Sequence, residues 1–180
     1  MNDGLISKRY AKALLEFATA HSEEGALYNR LKTLLANVVA VPQLRVKFQN
    51  QMVSHEDKLK LLYSAMGEGK VEESGKKFAD ILLQNQREQL MQNIAECYCT
   101  LYRHRHNISI VEITSAEPLS SQVIDHIRTD IEKQTHGTTE IVAHIDPRIG
   151  GGLIYQIDDL RLDGSVQGQL AKVSKQLARK

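Results

Sequence analysis

Apolar residues in the first two-thirds of the chain recur at every third or fourth position, the spacing that lines one face of an α-helix. The pattern predicts six helices with short connections within residues 1–105, as in a compact helical bundle. Two stripes come first: Ile6, Tyr10, Ala13, Leu14 and Phe17, and then Leu27, Tyr28, Leu31, Leu34, Leu35 and Val38. A short helix is predicted after Pro42, and three stripes follow: Leu59, Leu62, Tyr63 and Met66; Val71, Gly75, Phe78 and Leu82; Leu90, Met91, Ile94, Ala95, Tyr98, Leu101 and Tyr102.

The period changes near His106. Short runs rich in β-branched residues now predict strands at 108–114, 139–145, 153–157 and 160–162. Ser120 and Ser165 are each placed to cap a helix, the first with Ile124, Ile127 and Ile131 facing inward. The order β-α-β-β-β-α predicts a small sheet-and-helix domain over residues 106–180. The fold class is therefore α+β, mostly α, with an N-terminal six-helix bundle at 1–105.

Charge and composition exclude several classes of protein. The 180 residues carry 23 Lys plus Arg against 22 Asp plus Glu, whereas a nucleic-acid binder usually shows a basic excess on one face. No apolar run approaches the roughly 18 residues of a membrane span, so we expect no direct membrane insertion. Two cysteines cannot build a disulfide framework, which indicates a reducing compartment.

Enzyme motifs are mostly absent from the sequence. The glycine cluster at 150–152 leads into a predicted strand, so it indicates a turn with positive φ and not a phosphate-binding loop. Leu59 stands where a zinc-protease helix that begins with His55-Glu56 would need its second histidine. Ser165 lacks the Gly-x-Ser-x-Gly spacing of a nucleophile elbow and is interpreted as a helix cap.

Cys97 and Cys99 are the remaining candidates for a metal or redox site. Residues two apart on a helix point about 200° away from each other, so these thiols cannot share a metal. His104 and His106 are also two residues apart, so while the helix lasts their side chains point away from each other and cannot share a metal. We therefore expect no catalytic residue, cofactor or metal, and the residues favour an interaction protein. A small cytosolic enzyme with an unrecognised site and a nucleic-acid adaptor stay open as alternatives.

Four stretches resemble one known family. The start Arg9-Tyr10-Ala11-Lys12-Ala13-Leu14 is similar to the opening helix of the δ subunits of rotary F-type ATP synthases, whose mitochondrial counterpart is the oligomycin-sensitivity-conferring protein. The more specific match is C-terminal and runs through residues 115–120, 146–152 and 163–170, that is SAEPLS, DPRIGGG and DGSVQGQL, in the family's order and spacing. Two positions depart from the family's pattern. Asp158-Asp159 stands where the family usually has Gly-Asp in a hairpin, and Gln167 stands where it often has arginine.

The resemblance implies a non-catalytic stator protein of an ATP-synthesising complex. The helical bundle at 1–105 would bind the N-terminal helix of an α subunit of the catalytic head. The domain at 106–180 would bind the b subunits of the peripheral stalk. The complex would lie at the cytoplasmic face of the bacterial inner membrane, with this subunit peripheral and resisting rotor torque during proton-driven ATP synthesis.

The family's groove lies between its first and fifth helices, which implies particular residues here. They are Tyr10, Ala13 and Leu14 from the first helix, and Phe78, Ala79 and Leu82 from the fifth. Ala13 either keeps the groove open or simply belongs to a tightly packed core. Phe17 and Leu31 are assigned to the core.

The C-terminal motif residues are expected to be structural. This set comprises Gly151, Gly152, Asp163, Gly164, Ser165 and Gly168. Residues 163–165 would turn the last strand into the last helix, and Gly168 would let that helix approach the sheet closely.

Overall fold

The computed structural model of the chain describes residues 3–50, 52–67, 69, 71–135, 137–157 and 160–177. The chain divides into two compact units, Met1–His104 and Arg105–Lys180. The helices of the first part are α1 (Asp3–Ala20), α2 (Glu24–Ala40), α3 (Gln43–Gln49), α4 (His55–Ala65), α5 (Glu73–Gln84) and α6 (Met91–Arg105), with a 3-10 turn at Glu88–Leu90 before α6.

One apolar core joins the helices of the N-terminal unit. Leu27, Leu31 and Leu34 of α2 are fully buried, as are Ile94 and Tyr98 of α6. Burying a side chain of this size contributes about 1.5–3 kcal/mol, so the helices are stabilised chiefly by packing against one another. The hydroxyl of Tyr98 donates to the backbone carbonyl of Glu24 at 3.0 Å, so this buried polar group has a partner.

The helix starts follow local chemistry that the sequence predicts. The hydroxyl of Ser54 accepts a hydrogen bond from the backbone N–H of Asp57 at 3.2 Å and so caps α4. Ser120 and Ser165 likewise accept from backbone N–H groups three residues ahead, those of Val123 and Gly168.

The C-terminal unit is a four-stranded sheet with two helices. Its elements are β1 (Ile108–Ser115), α7 (Ser121–Thr135), β2 (Thr138–Ile145), β3 (Leu153–Ile157), β4 (Leu160–Asp163) and α8 (Val166–Leu177). The strand order is β2-β1-β3-β4, with β1 and β2 parallel and the other neighbours antiparallel. The parallel pair requires a crossover, which α7 provides. The predicted fold class is confirmed, while the predicted turn at Asp158-Asp159 lies outside the described residues.

Candidate functional site

A cavity of about 860 Å³ lies between α1 and α5 in the N-terminal unit. We call it the α1–α5 groove, and its lining residues are Ile6, Arg9, Tyr10, Ala13, Leu14, Phe17, Lys77, Phe78, Ile81, Arg87 and Ile94. The residues from α1 span Ile6 to Phe17, about three helical turns or ~16 Å. An apolar depression of this length fits about three turns of a partner helix.

Four of the six residues implied for the groove line this cavity. They are Tyr10, Ala13, Leu14 and Phe78. Ala13 is exposed, while Leu14 and Phe78 are 6% and 3% exposed and form the floor.

Ala79 and Leu82 do not line the groove. They are only 0% and 1% exposed and belong to the core of the helical unit, and their contact with a partner stays a prediction. Lys77 and Ile81 occupy the face of α5 that borders the cavity.

Phe17 also departs from its predicted position. It is half-buried and lines the groove, whereas Leu31 is fully buried in the core as predicted. Phe17 lies at the end of the stripe on α1 where the neighbouring helices no longer cover it completely. Its ring contacts that of His21 at a centroid distance of 4.2 Å.

Tyr10 and Arg87 form the best-defined polar contact of the groove. The Nη1 of Arg87 donates to the Tyr10 hydroxyl at 2.9 Å, and the guanidinium carbon lies 5.2 Å from the centre of the Tyr10 ring. Arg87 follows α5, and its backbone N–H donates to Leu82 O at 2.9 Å. The contact joins the end of α5 to the middle of α1 and combines a hydrogen bond with a cation–π interaction.

The charged lining residues were missed at the sequence level. Arg9, Lys77 and Arg87 all line the cavity, but an apolar-stripe search discards charged positions. A usable signal was present, because Arg9 and Lys77 directly precede the groove residues Tyr10 and Phe78. Long cationic side chains often run along apolar surface and keep only the charge in water.

Glu23, between α1 and α2, fixes the start of α5. Its carboxylate accepts hydrogen bonds from the backbone N–H and hydroxyl of Ser74, at 2.8 and 2.6 Å, and from the backbone N–H of Glu73 at 3.3 Å. The hydrogen bonds from Ser74 hold the pKa of the Glu23 carboxyl below its ordinary value of 4.5. The N-cap residue of α5, Glu72, makes no capping hydrogen bond with its own side chain. Glu23 therefore acts as the cap from a distant part of the chain.

The C-terminal motif residues surround the start of α8. Oδ1 of Asp163 accepts from the backbone N–H and hydroxyl of Ser165, at 2.9 and 2.6 Å, and the Ser165 oxygen accepts from Gly168 N–H at 3.0 Å. Gly151 and Gly152 have positive φ of 134° and 75°.

Gly168 permits a different close approach from the predicted one. A side chain at this position would meet the carboxylate of Asp163, with Oδ1 at 2.7 Å from the added Cβ. The space is thus used by one side chain at the end of β4, and not by the sheet backbone. Among the motif glycines, the closest approach to backbone is at Gly152, where a Cβ would collide with the carbonyl oxygen of Gly164.

The sheet register identifies a second uncovered surface. Leu160 pairs with Ile157 and Leu162 with Tyr155, and these partners pair in turn with Val111 and Ile113. Paired residues share one face of a sheet. Val111 and Ile113 are fully buried on this face, whereas Leu160 and Leu162 are 59% and 53% exposed. Val166 and Leu170 of α8 are also exposed, at 45% and 65%.

The described residues contain neither a metal-ligand cluster nor a helix suited to cross a membrane. Across the described ranges, no group of three or more His, Cys, Asp or Glu side chains is arranged to hold a metal ion. Cys97 is half-buried and Cys99 is buried, both on α6. None of the helices in the described part of the chain has the length and apolar character needed to cross a bilayer.

Comparison with known proteins decides the family. The family model described as the ATP synthase delta (OSCP) subunit matches residues 6–177. The chain belongs to this family.

Curated relatives of the delta (OSCP) family match over nearly their full length. The protein named ATP synthase subunit delta from Phocaeicola vulgatus is 39% identical over 177 residues, covering 98% of this chain and 96% of the relative. The relative of the same name from Bacteroides thetaiotaomicron is 36% identical, and the match covers 98% of this chain and 95% of the relative. The one from Rickettsia conorii is 30% identical, and the match covers 98% of this chain and 96% of the relative.

The delta (OSCP) fold is also found in a distant solved structure. A chain of the cryo-EM structure of the Toxoplasma gondii mitochondrial ATP synthase hexamer superposes with a TM-score of 0.69 at 20% identity. The match covers 96% of this chain and 97% of the other. The likeness extends over both units of the fold.

Proposed function

We propose that this chain is the stator subunit that links the catalytic head of an F-type ATP synthase to its peripheral stalk. The N-terminal unit binds the N-terminal helix of an α subunit, and the C-terminal unit binds the b subunits. The subunit contributes no catalytic residue and acts mechanically against rotor torque. It resides peripherally at the cytoplasmic face of the bacterial inner membrane, within the assembled synthase.

The α1–α5 groove is the observation that carries this proposal. Its floor is formed by Leu14, Phe78 and Ile94, and exposed Ala13 occupies its open side with a side chain of minimal size. An amphipathic helix binds such a groove through apolar anchors that recur every three or four residues. The groove is long enough to hold about three turns of such a helix.

The C-terminal unit supports the second half of the proposal. The apolar face of its sheet continues onto exposed Leu160 and Leu162, and α8, which follows β4 in the chain, exposes Val166 and Leu170. Exposed apolar side chains grouped on neighbouring elements are typical of an interaction surface. We assign this surface to the b subunits of the peripheral stalk.

A peptide titration tests the groove. We expect the α-subunit N-terminal peptide to bind the wild-type chain, as measured by isothermal titration calorimetry. Ala13→Trp fills the groove and is expected to weaken binding at least about tenfold, since the loss falls at the centre of the contact. Ala36→Trp is the matched control, because Ala36 is exposed in the middle of α2 and does not line the cavity. Unchanged affinity in a folded Ala13→Trp variant would refute the groove assignment.

Co-purification tests the stalk half. Leu162→Glu places a charge in the exposed apolar surface and is expected to reduce recovery of the b subunits with the chain. Val39→Glu is the control, since Val39 is 75% exposed on α2 of the other unit. Equal recovery of b subunits by both variants would contradict the assignment of this surface, and absence of all synthase subunits would contradict the proposed function.

A further inference from the structure

Among the described residues that line the α1–α5 groove are three cations and no carboxylate. Arg9, Lys77 and Arg87 border its apolar floor. Within the part of the chain that the structure describes, none of the three lies within 4.0 Å of a carboxylate oxygen in an ion pair. The described lining of the groove therefore carries a net positive charge, and none of its three cations is ion-paired.

Arg87 is held in position before any partner arrives. Its hydrogen bond and ring contact with Tyr10 fix the guanidinium across the groove, at 2.9 Å from the hydroxyl and 5.2 Å from the ring centre. A guanidinium carries five N–H donors, and this hydrogen bond uses one of them. A side chain that is already ordered loses less conformational entropy when it binds a carboxylate.

The cations are spread along the groove. Lys77 lies seven residues before the end of α5 at Gln84, about 10 Å along the helix axis, and Arg87 follows that end. Arg9 comes from the opposite wall, on α1. A helix lying in the groove thus meets positive charge on both flanks of its apolar stripe.

We propose that the groove selects its partner by charge as well as by shape. Its occupant is an amphipathic helix with carboxylates beside the apolar stripe, and Arg87, positioned by Tyr10, binds one of them. This inference rests on the proposed function, in which the occupant is the α-subunit helix. Apolar contact alone accepts many amphipathic helices, whereas opposite charges speed association and disfavour the wrong partner.

The test uses three synthetic helical peptides with the same leucine stripe and with Glu, Gln or Lys at the flanking positions. The full chain is titrated with each at low and at high salt. We expect the Glu peptide to bind about tenfold more tightly than the Lys peptide at low salt, and the difference to shrink at high salt as the charges are screened. Equal affinities for the three peptides, or no binding of the Glu peptide, would overturn the inference.

Variants then assign the effect to particular residues. Lys77→Gln and Arg9→Gln are each expected to reduce affinity for the Glu peptide about threefold, and Arg87→Gln about tenfold. The matched controls Lys76→Gln and Lys8→Gln remove the same charge from exposed neighbours outside the groove and should leave affinity unchanged. Equal losses of affinity in the variants and their controls would show that binding depends only on the total charge of the chain. That result would overturn the assignment of the groove cations.

Tyr10→Phe isolates the positioning of Arg87. It removes one hydroxyl and keeps the ring, so the apolar lining of the groove is retained while Arg87 loses its hydrogen-bond acceptor. We expect the preference for Glu over Lys to fall about threefold, because the guanidinium loses its fixed partner. An unchanged preference would show that Tyr10 does not position Arg87.

The α-subunit N-terminal peptide separates this inference from the proposed function. If the Glu peptide binds with the expected charge dependence and the α-subunit peptide does not bind, the charge selectivity stands and the assigned partner is wrong. If the α-subunit peptide binds but neither salt nor the Arg87 variant changes its affinity, the proposed function stands and the charge selectivity is wrong.

Discussion

The carboxylate of Glu23 accepts hydrogen bonds from both the backbone N–H and the hydroxyl of Ser74, which lies 51 residues away. Glu23 follows α1, and Ser74 is in the first turn of α5. One side chain therefore satisfies donors at the start of α5 and holds this end of the helix near the end of α1. Since these two helices form the walls of the groove, the contact also supports its shape.

Removing the Glu23 carboxylate should destabilise the N-terminal unit. We expect Glu23→Gln to lower the free energy of unfolding by about 1–2 kcal/mol, because the helix start loses its charged acceptor. Urea denaturation followed by circular dichroism measures the change. Glu16→Gln is the control, because Glu16 is exposed and its ion pair with Lys12 is long, at 4.0 Å. This substitution should lower the free energy of unfolding by less than about 0.5 kcal/mol. Equal losses in the two variants would contradict the capping role.

The same contact predicts a dependence on pH. The folded-state pKa of Glu23 is lowered from 4.5, so its contribution to stability is present above that value and is lost as pH falls through the folded pKa. The difference in unfolding free energy between wild type and Glu23→Gln should be constant near neutral pH and shrink in acid. A difference that grows as the pH falls below 4.5 would have the wrong sign for this mechanism.

Gly152 and Gly150 should respond differently to the same substitution. Both have positive φ, 75° and 73°, so alanine strains the backbone at either position. At Gly150 the nearest heavy atom to an added Cβ is 4.0 Å away, whereas at Gly152 the Cβ collides with the Gly164 carbonyl. We expect Gly150→Ala to cost about 1–2 kcal/mol and Gly152→Ala at least about 3 kcal/mol. Thermal unfolding of both variants measures this, and equal shifts would refute the close approach.

Gly168 and Asp163 should act together. Gly168→Ala pushes against the Asp163 carboxylate and disturbs its hydrogen bonds to Ser165, which caps α8. We expect a cost of about 1–3 kcal/mol, and a larger side chain such as Gly168→Leu should also weaken stalk binding through the disturbed domain. Because Asp163→Ala removes the obstacle, adding Gly168→Ala to it should cost much less than in the wild type. Fully additive losses would contradict the contact.

The elements of the fold were largely predictable because they depend on nearby residues. A serine at the N-cap position can accept a hydrogen bond from the backbone N–H three residues ahead, and Ser54, Ser120 and Ser165 all do so. The strands follow from runs of β-branched residues, and the positive φ of the glycines at 150–152 follows from the turn that they form.

The groove was predictable only in part. The stripe on α1 indicates which face is apolar, but it does not say which members neighbouring helices cover. Phe17 is therefore half-buried, and on α5 Phe78 and Ala79 are both buried although only Phe78 borders the cavity. Periodicity locates a face to within about a residue, and 100° per residue is enough to exchange core for surface.

The sequence by itself determined the elements, their order and the family, because caps, periodicity and short motifs act within a few residues of one another. The tertiary structure alone decided which charges border the groove, which acid caps α5 and which glycine lies against backbone. Each of these depends on residues far apart in the chain: Tyr10 with Arg87, Glu23 with Ser74, and Gly152 with Gly164. Their contacts form only when packing brings the elements together.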